Sequence, residues 1–235
     1  TWGTIGLAYN PAKVSARLGD LPVNSWDLLF KPDYAAKLKD CGVAVLDSPV
    51  EMLSIALNYL GKDPYSEDKK EIGEAKALLS KMAEHTAYFS NQRASIDLPS
   101  GNLCLAVMYS GDAGLAQVRA VEAENGVEIA YAIPREGTLM WIDLMAIPVD
   151  APNPDEAYRF IDHMLQPEVI AEVTNTVFFA NANAKSAVFI LPEVLSDPGV
   201  YPDAETMRSL FPDKSLGSKA LRQRSRAWTS VKSGI

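Results

Sequence analysis

Leu103-Cys104-Leu105-Ala106-Val107-Met108-Tyr109-Ser110-Gly111-Asp112 is an apolar run that changes character within its last three residues. Seven consecutive apolar positions without alternation predict a strand buried on both faces, the pattern of a sheet covered by helices. Ser110-Gly111-Asp112 then opens a helix that runs to about Glu124 and is stopped by Asn125-Gly126. A buried strand running straight into a helix is the unit of an α/β fold, and the carboxyl ends of such strands are where ligands bind.

The same unit recurs on the N-terminal side. Cys41-Gly42-Val43-Ala44-Val45-Leu46-Asp47 reads as a buried strand, followed by Ser48-Pro49-Val50-Glu51 with Ser48 as N-cap, Pro49 in the first helical position and Glu51 three residues after the cap. That capping box opens a helix with Met52, Leu53, Ile55, Ala56, Tyr59 and Leu60 at helical spacing, ended by Gly61. Residues 66–83 form an amphipathic helix. Further back, a strand at about 3–9 ends at Asn10-Pro11, and Asn24 or Ser25 caps a short helix closed by Lys31-Pro32. A strand at 86–90 and a helical turn around 92–98 complete this half.

On the C-terminal side the pattern predicts strands at 127–133 and 138–147, then helices at 153–165 and from Pro167 to about Val177. Two Pro-rich connections precede a short helix at 203–210 and a last helix at about 216–233. Leu221, Trp228 and Val231 fall on one face of that helix, which predicts docking with solvated arginines opposite. The first residues lack Met and a targeting pattern and read as a strand entered in mid-course, so a piece of a longer protein is expected.

Composition narrows the function. The 235 residues are 48% hydrophobic and 22% charged, which excludes a disordered chain. No run of eighteen apolar residues occurs, so no membrane-spanning helix is predicted. Residues 214–235 hold six cations and no acid against a whole-chain net charge of −8, so the first 213 residues carry −14. A field of that sign disfavours nucleic acid and attracts cations, although acidity also simply serves solubility. His85 and His163 lack metal-ligand spacing, and no nucleophile elbow, phosphate loop or dinucleotide glycine pattern is present. Neither a metal nor a cofactor is expected, and an enzyme has little support. Cys41 and Cys104 stand beside two predicted buried strands. Paired, they close a long loop and favour an oxidising compartment; the alternative is two buried free thiols.

Two carboxylates stand out. Read with period two, Trp141, Asp143 and Met145 share one face of the 138–147 strand, and a carboxylate in so apolar a strand needs a partner: an internal cation, a backbone cap or a ligand. Asp112 follows Tyr109 where a buried strand becomes a helix; it can cap the helix, meet a ligand, or do both. Phe178-Phe179-Ala180-Asn181-Ala182-Asn183 sets aromatics in a polar turn, either as a wall of a site or as ordinary packing. An aromatic box with acidic ends suits a linear diamine, whose ammonium heads need carboxylates and whose stem needs ring faces.

With these residues the chain resembles the periplasmic polyamine-binding proteins, the putrescine and spermidine receptors of bacterial ABC importers. The matching segments include Asn24-Ser25-Trp26-Asp27-Leu28-Leu29, Tyr59-Leu60-Gly61-Lys62-Asp63-Pro64, Ser110-Gly111-Asp112, Trp141-Ile142-Asp143, Phe178-Phe179-Ala180-Asn181-Ala182-Asn183 and Arg226-Ala227-Trp228. The resemblance implies a two-lobed α/β binding-protein fold of type II, lacking the first part of the N-terminal lobe. It places residues 1–125 and 200–235 in the C-terminal lobe and 126–199 in the N-terminal lobe. It implies Asp112 and Asp143 as partners of ligand ammonium groups, with Trp141, Tyr109 and Phe179 as aromatic walls. Cys41 and Cys104 match a disulfide of relatives. Val50 stands where relatives carry a glutamate, and Glu51 is one residue off, about 100° round a helix; a different cationic amine is therefore a second expectation. The implied partners are a small cationic amine and the importer's membrane permease in the periplasm, with no nucleic acid and a monomer when complete. An amine sensor or interaction protein on the same scaffold is the competing class.

Overall fold

The computed structural model describes residues 1–234. Its elements in chain order are β1 (Trp2–Tyr9), α1 (Pro11–Leu18), α2 (Asp27–Phe30), α3 (Pro32–Leu38), β2 (Val43–Val45), α4 (Pro49–Tyr59), α5 (Lys69–Ala83), β3 (Tyr88–Phe89), α6 (Ala94–Asp97), β4 (Leu105–Tyr109) and α7 (Ser110–Glu122). There follow β5 (Ala130–Ala132), β6 (Leu139–Ile142), α8 (Pro154–Met164), α9 (Pro167–Val177), α10 (Pro192–Leu195), α11 (Ala204–Ser209), β7 (Phe211–Pro212) and α12 (Ser218–Ser233).

One mixed sheet runs β3-β2-β4-β1-β6-β7, with β5 also paired to β1. β2 lies parallel to β3 and β4, whereas β1 is antiparallel to β4, β5 and β6. β1 is the long element that joins the rest. One edge pairs with β4 over Ile5–Tyr9; on the other, β6 takes Trp2–Thr4 and β5 takes Leu7–Tyr9.

Alternation along β1 and β4 sorts side chains between two faces. Ile5, Leu7 and Val107 pack with Met52 and Ile55 of α4, Leu79 of α5 and Trp228 of α12. Ala8, Ala44, Ala106 and Met108 face the other way, onto Leu98 and Ala113. Each fully buried large aliphatic side chain contributes about 1.5–3 kcal/mol. A separate cluster of Ala171, Ala180, Ile190, Val194 and Val200 holds the segment after α9.

Several local expectations change. Pro11–Leu18 is a helix: Asn10 accepts from the Lys13 N–H and Pro11 takes the first turn. Ser48 caps α4 by position, but its hydroxyl donates to the Glu51 carboxylate and makes no bond to the helix amides. The last helix docks through Trp228 and Val231, while Leu221 stays 40% exposed. Arg224, expected in solvent, is fully buried. Its guanidinium donates to Ser54 Oγ and to the main-chain oxygens of Val50, Pro64 and Ser66, and so ties α12 to α4 and the loop after it. Trp228 Nε1 and Lys232 Nζ both donate to Asp47 at 2.7 Å, fixing the other end of α12 beside the β2–α4 turn. Cys41 and Cys104, just ahead of the adjacent strands β2 and β4, form a disulfide.

Candidate functional site

The β-structure delivers its functional side chains to one place. Tyr109 is the last residue of β4 and the N-cap position of α7, and Asp112 lies in the first turn of that helix. Trp141 on β6 sits opposite Gly3 of β1. Phe179 follows α9 in a turn built by Asn181, whose amide donates to Thr174 Oγ1 and whose oxygen accepts from Asn183 N and Ser186 Oγ. The main-chain N–H of Trp2 donates to Ala180 O at 2.9 Å, which anchors that turn to β1.

All five residues singled out from the sequence line one cavity of about 410 Å³. Trp141 is the centre of the aromatic wall: Phe179 meets it edge-on with ring centroids 4.7 Å apart, and Tyr109 does so at 6.1 Å. Asp112 and Asp143 approach from different elements. Asp112 makes no capping bond, so the capping alternative falls away.

The alternating pattern predicts a strand over 138–147, and Asp143 stands outside the strand that forms. β6 ends at Ile142, and Asp143 is exposed, so no buried charge in mid-strand exists there. Its N–H donates to Thr1 O, and its carboxylate accepts from the Thr1 hydroxyl at 3.3 Å. β6 pairs with Trp2–Thr4 of β1 on one side and with Phe211–Pro212 of β7 on the other, and Asp143 lies just past both pairings.

Two further carboxylates line the cavity: Glu51 and Asp213. Helix geometry alone predicts Glu51 about 100° round from Val50. In the first turn of α4, however, it is Glu51 that faces the cavity, while the Val50 carbonyl accepts from Arg224. Asp213 follows β7, and its N–H donates to Met140 O at 2.8 Å, beside Trp141. Nothing local marks it, because β7 is two residues long and acquires its place only by pairing with β6.

Burial dominates the electrostatics of the cavity. Burial pushes the Glu51 carboxyl above its ordinary range, and the Asp213 charge adds to this against the Tyr109 hydrogen bond. Burial raises Asp112 as well. The Tyr109 hydroxyl is raised by burial and by the neighbouring Glu51. Among the described residues, the ion pairs involve none of the four cavity acids. Nor do three of their kind come close enough to hold a metal ion. Spread carboxylates around a ring wall match an elongated organic cation better than a compact ion. A larger groove of about 750 Å³ between α5, β3 and the end of α12 carries one acid, Glu84, and two lysines, Lys76 and Lys232, which is the wrong balance for a cation.

The model of the bacterial extracellular solute-binding protein family matches residues 1–201. The chain is 45% identical over 234 residues to the putrescine-binding periplasmic protein SpuD of Pseudomonas aeruginosa, covering 99% of this chain and 64% of that one. It is 45% identical over 235 residues to the putrescine-binding periplasmic protein PotF of Escherichia coli, again covering 99% and 64%. The chain thus spans 64% of the length of these curated relatives. A solved structure described as a putative spermidine/putrescine ABC transporter from Listeria monocytogenes superposes with a TM-score of 0.83 at 28% identity, over 100% of this chain and 68% of that one. The chain belongs to the bacterial extracellular solute-binding proteins, a non-enzymatic family.

Proposed function

We propose that this chain carries part of the cleft of a receptor for an aliphatic polyamine, putrescine or a close relative, which hands its ligand to an ABC importer from the periplasm. The observation that carries this reading is the set of four carboxylates, Glu51, Asp112, Asp143 and Asp213, around the Trp141–Phe179 pair, none of them in an ion pair among the described residues. Putrescine brings two ammonium groups and a methylene stem, which match the acids and the ring wall in turn. The names of the relatives agree.

On this reading residues 1–125 with 200–235 form one lobe and 126–199 the other, supported by the separate core around Ala171, Ala180, Ile190 and Val194, which Val200 joins from the boundary. Leu144, Met145, Tyr158 and Phe160 are exposed apolar residues on the segment that follows β6 and on α8. That surface is where the rest of a full-length receptor would pack. Calorimetric titration of the full-length protein with putrescine, cadaverine, agmatine and spermidine tests the function. Saturable binding of at least one amine is expected, and no heat from any of them overturns it.

A further inference from the structure

Phe178 ends α9 in the left-handed region, at φ 57°. A bulky residue adopts that conformation only where its surroundings enforce it. The resulting turn lays two consecutive rings on one face of α7. A Cβ at Gly114 would stand 2.6 Å from Phe178 Cβ; one at Gly111 would stand 2.5 Å from Phe179 Cε1 and 2.5 Å from the main-chain oxygen of Val177. Gly111 and Gly114 are three residues apart and share that face. Gly3 leaves room from the other side: a Cβ there would meet Trp141 Cζ2 at 2.7 Å and Phe179 Cδ1 at 3.1 Å. None of these three glycines has a positive φ, unlike Gly42 or Gly137, so what they supply is space.

We infer that Gly3, Gly111 and Gly114 are positioning residues, a seat without side chains that holds the Phe179 ring edge-on to Trp141 and thereby sets the width of the slot between the rings and Asp112. The seat is defined by geometry alone; its consequence for binding rests on the amine reading above. A methyl group at Gly111 must displace the ring, and with it the Val177 carbonyl, by about 1 Å to restore ordinary contact. Because the clash involves main chain, a change of rotamer cannot relieve it. Asp112 is the next residue, so ring and carboxylate are set by the same turn of α7.

The test is a double-mutant cycle in the full-length protein, with Gly111→Ala and Phe179→Ala singly and together, read by putrescine titration. Gly111→Ala is expected to weaken binding at least tenfold in the wild-type background and by a clearly smaller factor in the Phe179→Ala background, where the Val177 oxygen is still met but the ring is gone. Equal losses in both backgrounds, or no loss in either, overturn the proposal. A second readout needs no ligand: Phe179 ring protons in isotope-labelled protein carry a shift from the Trp141 ring current, which Gly111→Ala should abolish and which, left unchanged, refutes the seat. If the wild-type protein binds no amine, the amine reading fails, and this second readout still decides the seat. Should Gly111→Ala fail to fold, Gly114→Ala meets only Phe178 and takes its place. The Phe179 shift should then be lost and regained with Phe178→Gly; a loss not regained overturns the proposal.

Discussion

The Tyr109 hydroxyl donates to Glu51 Oε1 at 3.3 Å, so the end of β4 and the first turn of α4 meet inside the cleft through a phenol and a carboxylate that share one proton donor. Both groups are held toward their neutral forms by burial. A ligand ammonium reverses this for the acid, because it supplies the opposite charge that the protein withholds. Tyr109→Phe should therefore leave the fold within about 1 kcal/mol of wild type, yet push the Glu51 carboxyl further up and weaken putrescine binding several-fold. Thermal unfolding and titration of the same variant check the two halves.

Asp112→Asn and Asp143→Asn should differ in stability while agreeing in function. Each removes a proposed ammonium partner, and each should cost putrescine affinity tenfold or more. Asp112 is half-buried and its charge is penalised by desolvation, so its amide variant should melt at or above the wild-type temperature without ligand. Asp143 is exposed, and its amide should leave the melting temperature unchanged.

The pH dependence follows from the raised acids. Burial raises the folded-state pKa values of Glu51 and Asp112 above the ordinary carboxylate range, so between the unfolded and folded values the folded state binds more protons than the unfolded one. Stability without ligand should then rise as the pH falls from neutral toward about 4.5, where the unfolded chain begins to protonate as well. Below that, Asp27 and Asp47, both lowered by their lysine partners, lose their contributions and stability falls. Putrescine affinity should decline across the first window, since the protonated acids no longer pair with ammonium. Melting curves and titrations at pH 7, 6 and 5 measure both trends; affinity that grows on acidification contradicts the assignment.

Arg224 makes its hydrogen bonds in the core between α4 and α12. Arg224→Met removes four hydrogen bonds between α12, α4 and the loop after it, and should destabilise by about 3 kcal/mol. Arg224→Lys cannot reproduce the fork and should recover only a minor part. Denaturant unfolding of the two variants distinguishes this from the solvated arginine that the helix pattern suggested.

Reduction of the Cys41–Cys104 bond opens a loop with a sequence separation of 63. The chain-entropy cost is about 4 kcal/mol. A Cys41→Ser, Cys104→Ser variant should lower the denaturation midpoint accordingly, with little effect on the cleft, because neither sulfur lines it.

Much of this protein is legible along one dimension. The buried strand ending at Tyr109, the capped helix after Ser48 and the pairing of strands with helices follow from local apolar spacing and capping chemistry, which act between residues a few positions apart. Asp112, Asp143, Trp141, Tyr109 and Phe179 could be named from their chemistry and from resemblance, and the fold brings all five to one cavity. Glu51 was misplaced because a helical wheel ranks directions around an axis without saying where that axis points. Asp213 carried no signal, since β7 exists only through its pairing with β6. Arg224 looked like one more solvated cation until α4 and the loop at Pro64 offered it their carbonyl groups. Short-range chemistry sets elements and residue types; which acids share a cavity depends on segments as distant along the chain as those of Glu51 and Asp213, and only packing in three dimensions brings those together.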